Sequence, residues 1–160
     1  MKTGMVRAAR RCLAAIGLTV GLVGIAQPAL AHWQYTRWGM TPAEVIAASN
    51  GNARQGDGRR SAQGPATKDV IGTYVAAGRT FEVSFYFVEQ RLDEVVLQLR
   101  DSQQCQATTR DLLAVYGRPI QISGARMEWN DQAKGNYVKM INVGGYCEIQ
   151  YEMAAGAAGL

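Results

Sequence analysis

A single histidine, His32, stands in the 160 residues, and no two of the three cysteines have the C-x-x-C spacing. That scarcity removes whole classes of chemistry. A histidine-brace copper site needs a second imidazole, and transition-metal sites need imidazole or thiolate ligands with supporting neighbours. A serine hydrolase would have only His32 as its base, and no G-x-S-x-G turn occurs. Dithiol redox catalysis lacks its motif. Paired carboxylates exist at Asp93-Glu94, but on a strand neighbouring side chains point to opposite faces. Glu82 and Glu128 are expected on strands close enough to be neighbours, with nothing to select them over solvated sheet charges. Neither an enzyme nor a bound metal or cofactor is therefore expected.

Long apolar runs are equally scarce. There is one, Cys12–Ala26, interrupted by Thr19 alone. Lys2, Arg7, Arg10 and Arg11 precede it without an acid, and Pro28 and Ala29-Leu30-Ala31 follow. A basic start, an apolar middle and an A-x-A site in that order predict a cleavable secretory signal peptide over residues 1–31. The run falls short of the roughly 20 residues a bilayer core requires, so no membrane anchor is expected after cleavage. Cys12 lies before the run, whereas a lipidated cysteine follows it. The expected location is outside the cytoplasm, the periplasm first and secretion as the alternative.

Clusters of one charge are missing as well. The formal charge is +4, with 17 Lys+Arg against 13 Asp+Glu, and the four cations of the signal segment account for all of the excess. Beyond them no basic run exceeds Arg59-Arg60. A nucleic-acid or anionic-membrane partner is thus not expected.

What is present is one compact domain over residues 32–153. Thr41-Pro42-Ala43-Glu44 is a capping box with proline at the first helical position, and Met40 can staple onto Val45. A helix is predicted from Pro42 to about Ser49, closed by Asn50-Gly51. Residues 52–69, rich in Gly, Arg, Gln and Ser, are read as a loop. The alternative there is a basic contact through Arg54, Arg59 and Arg60. A short strand at 73–76 turns through Ala77-Gly78. Phe81, Val83, Phe85 and Phe87 then alternate with Thr80, Glu82, Ser84 and Tyr86, the mark of a half-buried strand. A turn at Glu89-Gln90-Arg91 leads to a third strand over 92–99.

The order then repeats. A helix is predicted over 103–116, with Cys105, Thr109, Leu112, Leu113 and Tyr116 near one face and Gly117 and Pro119 as its stop. Strands follow from Met127, over 137–143 and over 146–153, the last two joined by Gly144-Gly145. The fold class expected is α+β: two tandem helix–β–β–β units, at about 38–100 and 101–153, forming one antiparallel sheet with both helices on one face. Residues 154–160 are expected to fray. Cys147 shares parity with Ile149, Tyr151 and Met153, and Cys105 lies on the helix that should cover that face. In an oxidising compartment these two cysteines are expected to form a disulfide.

Gly39-Met40-Thr41-Pro42-Ala43-Glu44-Val45 resembles the G-M-T-x-x-x-V helix start of the small outer-membrane lipoproteins of the SmpA/OmlA group. It is also similar to the repeat unit of β-lactamase-inhibitor-like proteins. Leu112-Leu113-Ala114-Val115-Tyr116-Gly117-Arg118-Pro119 resembles the helix exit of that unit. The SmpA/OmlA proteins are lipidated and single-unit, unlike this chain. The resemblance implies a fold built for protein contact through a concave sheet.

Aromatic residues supply the contact candidates. Trp38 and Trp129 are expected in the core. Tyr86, with Glu82 and Ser84, opposes the phenylalanine face, so this outer face together with an arm carrying Trp33 and Tyr35 is the expected contact surface. The function expected is that of a non-enzymatic module binding another protein of the cell envelope. The rivals are a small-molecule or lipid binder with an aromatic-lined cleft between helices and sheet, and an envelope enzyme using carboxylates.

Overall fold

The computed structural model describes residues 33–155. The signal-peptide segment, His32 and residues 156–160 of the tail lie outside the described residues. Helix α1 (Pro42–Ala48) is followed by strands β1 (Ala53–Arg60), β2 (Thr67–Ala76), β3 (Arg79–Val88) and β4 (Arg91–Leu99). A 3-10 turn at Ser102–Gln104 leads into α2 (Cys105–Tyr116), then β5 (Gln121–Ser123), β6 (Arg126–Asp131), β7 (Asn136–Val143) and β8 (Tyr146–Met153). The fold is α+β, with one antiparallel sheet of eight strands in the order β1-β2-β3-β4-β8-β7-β6-β5.

Local chemistry explains the helices. Glu44 N donates to Thr41 Oγ1 at 3.4 Å, and Thr41 N donates to Glu44 Oε2 at 2.7 Å. The Thr41 N–H first, and then the Thr41 hydroxyl donating to the same oxygen at 2.9 Å, hold the Glu44 carboxyl below its usual range. Beyond Ser49, Asn50 and Gly51 turn the chain left-handed. In α2 the buried residues are Cys105, Thr108 and Leu112. This corrects the predicted face: Thr108 takes the inward place assigned to Thr109, and Leu113 is exposed. Gly117, at φ 73°, closes α2 and donates its N–H to Leu113 O at 2.9 Å.

The predicted loop over 52–69 is corrected: it contains β1 and the start of β2. β1 is an edge strand whose side chains, Ala53 apart, are exposed or half-buried. Its composition therefore carries no buried face, and pairing with β2 alone makes it a strand. Arginines along an edge also discourage pairing with other chains. Two glycines permit the pairing. A Cβ on Gly56 would stand 2.5 Å from Lys68 O, and one on Gly72 would stand 2.6 Å from Asn52 O. The short β5 was likewise not foreseen, so each helix is followed by four strands rather than three. The two-residue turns at Ala77-Gly78, Glu89-Gln90 and Gly144-Gly145 hold both residues at positive φ, which matches the twist of the strands they join.

One row crosses all eight strands on the covered face: Ala53, Gly72, Val83, Leu97, Ile149, Met140, Met127 and Ile122. Phe85, Phe87, Leu92, Trp129 and Val138 sit in the same core cluster, nearly closed to solvent, together with Val45 of α1 and Leu112 of α2. Each such side chain contributes about 1.5–3 kcal/mol by leaving water. Cys105 and Cys147 form a disulfide with Cα atoms 5.7 Å apart, tying α2 to β8. Trp38 and Trp129 are both buried, Trp38 donating to Asn136 Oδ1 at 3.1 Å and Trp129 to Gly117 O at 3.0 Å.

Candidate functional site

Among the described residues no helix lies on the opposite face. Its central row is Arg54, Ile71, Ser84, Val96, Gln150, Lys139, Glu128 and Gln121. To one side run Tyr86, Glu94, Glu152 and Tyr137, and to the other Glu82, Gln98, Glu148, Ile141 and Arg126. Period-two alternation places them here, because every inward hydrophobic neighbour turns the next side chain outward.

Outward does not mean solvated. Glu128, Glu148 and Gln150 are each less than 8 % exposed, and buried charge must be paired or hydrogen-bonded. Glu128 meets Arg126 Nε at 2.7 Å and accepts from the Tyr137 hydroxyl. That bond, more than burial, pushes the Tyr137 phenol up to about 12. Glu152 pairs with Lys139, and Glu82 with Arg100 at 3.3 Å. Glu94 and Glu148 differ: among the described residues neither forms an ion pair. Glu148 accepts from the Tyr146 hydroxyl and, at 2.7 Å, from Gln150 Nε2. Burial first, then the neighbouring Glu152, pushes the Glu94 carboxyl up to about 7, against a counter-effect from Lys139. Burial and the Glu148 carboxylate likewise raise the Tyr146 phenol.

These groups enclose a depression of about 210 Å³, walled by Tyr86, Glu94, Val96, Tyr146, Glu148 and Gln150 and bordered by Ser61, Ala62 and Gln63 of the β1–β2 connection. A wider depression of about 460 Å³ lies across β1, β2 and β3, where Glu82 and Ser84 meet the cations Arg54, Lys68 and Arg100. The two depressions thus differ in charge, carboxylates and phenols walling the first, and three cations with Glu82 lining the second.

Tyr86, Ser84 and Glu82 all lie on this face, as their parity requires. The aromatic arm does not. Trp33 is 4 % exposed and sits on the covered face, its ring 5.2 Å from Tyr74, 5.9 Å from Phe85 and 6.3 Å from Tyr151. Tyr35, half-buried, packs edge-on beside it with ring centroids 6.1 Å apart. The arm is a core plug, because a large apolar ring gains more from the pocket it fills than from water. Glu82 and Glu128 are not on neighbouring strands either, since β4, β8 and β7 separate β3 from β6. Sequence reasoning considered Glu94 only as half of the Asp93-Glu94 pair, and it passed over Tyr146, Glu148 and Gln150 as site residues. The parity of Val95 and Cys147 could have put them on the outer face. Their convergence depends on β4 lying beside β8, which no local signal announces.

Family models, curated proteins and solved structures were all compared with this chain, and none matches it.

Proposed function

We propose that this chain is an exported, non-enzymatic protein-binding module, and that the outer face of its sheet docks a partner of the cell envelope. The observation that carries the reading is the pair Glu94, half-buried, and Glu148, buried, beside Tyr86 and Tyr146 with no ion pair of their own, on a face where the neighbouring acids are ion-paired. A Lys or Arg side chain from the partner supplies the missing charge, and the two phenol rings supply cation–π contact. The cationic depression beside it meets acids of the same partner and sets its orientation. Export is supported by the Cys105–Cys147 disulfide, since such bonds persist in oxidising compartments. The recurrence of one helix followed by a meander supports a two-unit architecture of the inhibitor-like kind, each unit being a helix with its strands.

The test is site-specific photocrosslinking from position 86 in the native envelope, with mass spectrometry of the adduct. One protein should be captured, and capture should fall at least tenfold in Glu94→Gln/Glu148→Gln and in Tyr146→Ala, with melting temperature retained. Equal capture by all three proteins would remove this face from the function. A second reading has its own observation: a carboxyl held near neutrality among phenols is suited to general acid catalysis. Turnover abolished by Glu94→Gln with partner capture unchanged would select that reading.

A further inference from the structure

The covered face holds a second site, independent of the docking face. Between α2 and the sheet lies a cleft of about 190 Å³ whose walls include Trp33, Tyr74, Phe81, Leu112, Tyr116 and Tyr151. Its lining is mainly apolar, and one cationic side chain reaches into it, Arg79 at the start of β3. The Arg79 side chain is 11 % exposed, and its Nη2 pairs with Asp111 of α2 at the rim. Its Nε is closed to solvent with no acceptor, the one such buried side-chain nitrogen or oxygen among the described residues. Folded proteins satisfy nearly all their buried donors, so an orphan beside an aromatic cleft marks a place where an acceptor is missing.

Charge and size narrow what could supply it. Asp111 already neutralises Arg79, and among the described residues Arg79 and Asp111 are the only charged side chains lining the cleft. With Arg79 already neutralised, an anion would bring an uncompensated charge into an apolar cleft, and a cation would find no free carboxylate among the described residues there. An uncharged ligand fits without either cost. An apolar cavity of about 150 Å³ takes up benzene, so the present volume suits a single ring with a short substituent. Aromatic walls favour an apolar ring, edge-on to Trp33 and Tyr74. Val115, 72 % exposed, stands at the mouth.

We propose that this cleft binds a small uncharged ring compound bearing one hydrogen-bond-accepting oxygen of carbonyl type, the ring lying among Trp33, Tyr74 and Tyr151 and the oxygen taken by the Arg79 guanidinium. A modest rotation of the arginine side chain turns Nε toward the ligand while Nη2 keeps Asp111.

The probes are acetophenone, its near-isostere α-methylstyrene, which has a CH₂ in place of the oxygen, and benzoate, titrated into the purified protein with the Trp33 indole N–H followed by NMR. Acetophenone is expected to bind saturably and at least tenfold more tightly than benzoate. Its preference over α-methylstyrene should fall at least tenfold in Arg79→Met, which removes the donors and keeps the bulk. Val115→Trp, a change at an exposed position, should abolish binding and leave the melting temperature unchanged. Failure of acetophenone to saturate would overturn the site, and would be the result if residues before Trp33 or a second copy of the chain fill the cleft. Tighter binding of benzoate would overturn the uncharged class, and an unchanged preference in Arg79→Met would overturn the role of the guanidinium. None of these outcomes bears on crosslinking from position 86.

Discussion

The two faces of the sheet bury side chains by different physics. On the covered face Val83, Leu97, Ile149 and Met140 run in one row under the helices, and burial there is favourable atom by atom. On the other face Val96, Gln150, Lys139 and Glu128 occupy the corresponding row, and burial of a charge there depends on its finding a counter-charge or hydrogen-bond donors. The first face answers to volume, and the second to pH and salt.

The comparison can be broken hardest from the covered side. Phe85→Ala should cost about 3–5 kcal/mol in urea denaturation, because the ring is fully buried and its removal leaves a cavity. Replacing Cys105 and Cys147 by alanine should cost about 2–4 kcal/mol, read as a lowered melting temperature matched by the reduced wild type. Gly72→Ala, at the same face's close approach to Asn52 O, should cost about 1–3 kcal/mol, as overpacking does.

The open face yields smaller effects of a different kind. The folded-state pKa of Glu94 is raised, so the folded protein binds the extra proton between pH 4.5 and about 7. Stability therefore falls as pH rises through that window. Glu94→Gln should leave stability unchanged at pH 4 and raise it at pH 8 by about 1–2 kcal/mol, reduced from the full shift because solvent reaches part of the carboxyl. A flat difference across pH would contradict the assigned environment. Smallest is the exposed pair Glu82–Arg100. Breaking it with Glu82→Gln should change stability by less than about 0.5 kcal/mol, and 0.5 M salt should erase the difference.

Several of these features were legible from neighbouring residues alone. The Thr41–Glu44 box forms as its spacing requires, and the alternation from Phe81 to Phe87 put Tyr86 on the outer face. Others were illegible for physical reasons. β1 shows no alternation because an edge strand has little to bury, and Gly56 matters only through the backbone of β2 facing it. Trp33 read as an arm because nothing near it in the chain reveals the hollow between Tyr74, Phe85 and Tyr151. The Glu94–Glu148 pair was hidden because the two residues are far apart in sequence and on strands whose adjacency is a matter of topology.

The sequence by itself determined the helix starts and stops, the inward and outward parity of the main strands and the α+β class, since each follows from hydrogen bonds and side-chain periods within a few residues. Only the tertiary structure decided that β4 lies against β8, that Trp33 turns inward and that Arg79 Nε is left without an acceptor. Those outcomes rest on contacts between distant segments, whose free energy exists only once the sheet has closed around them.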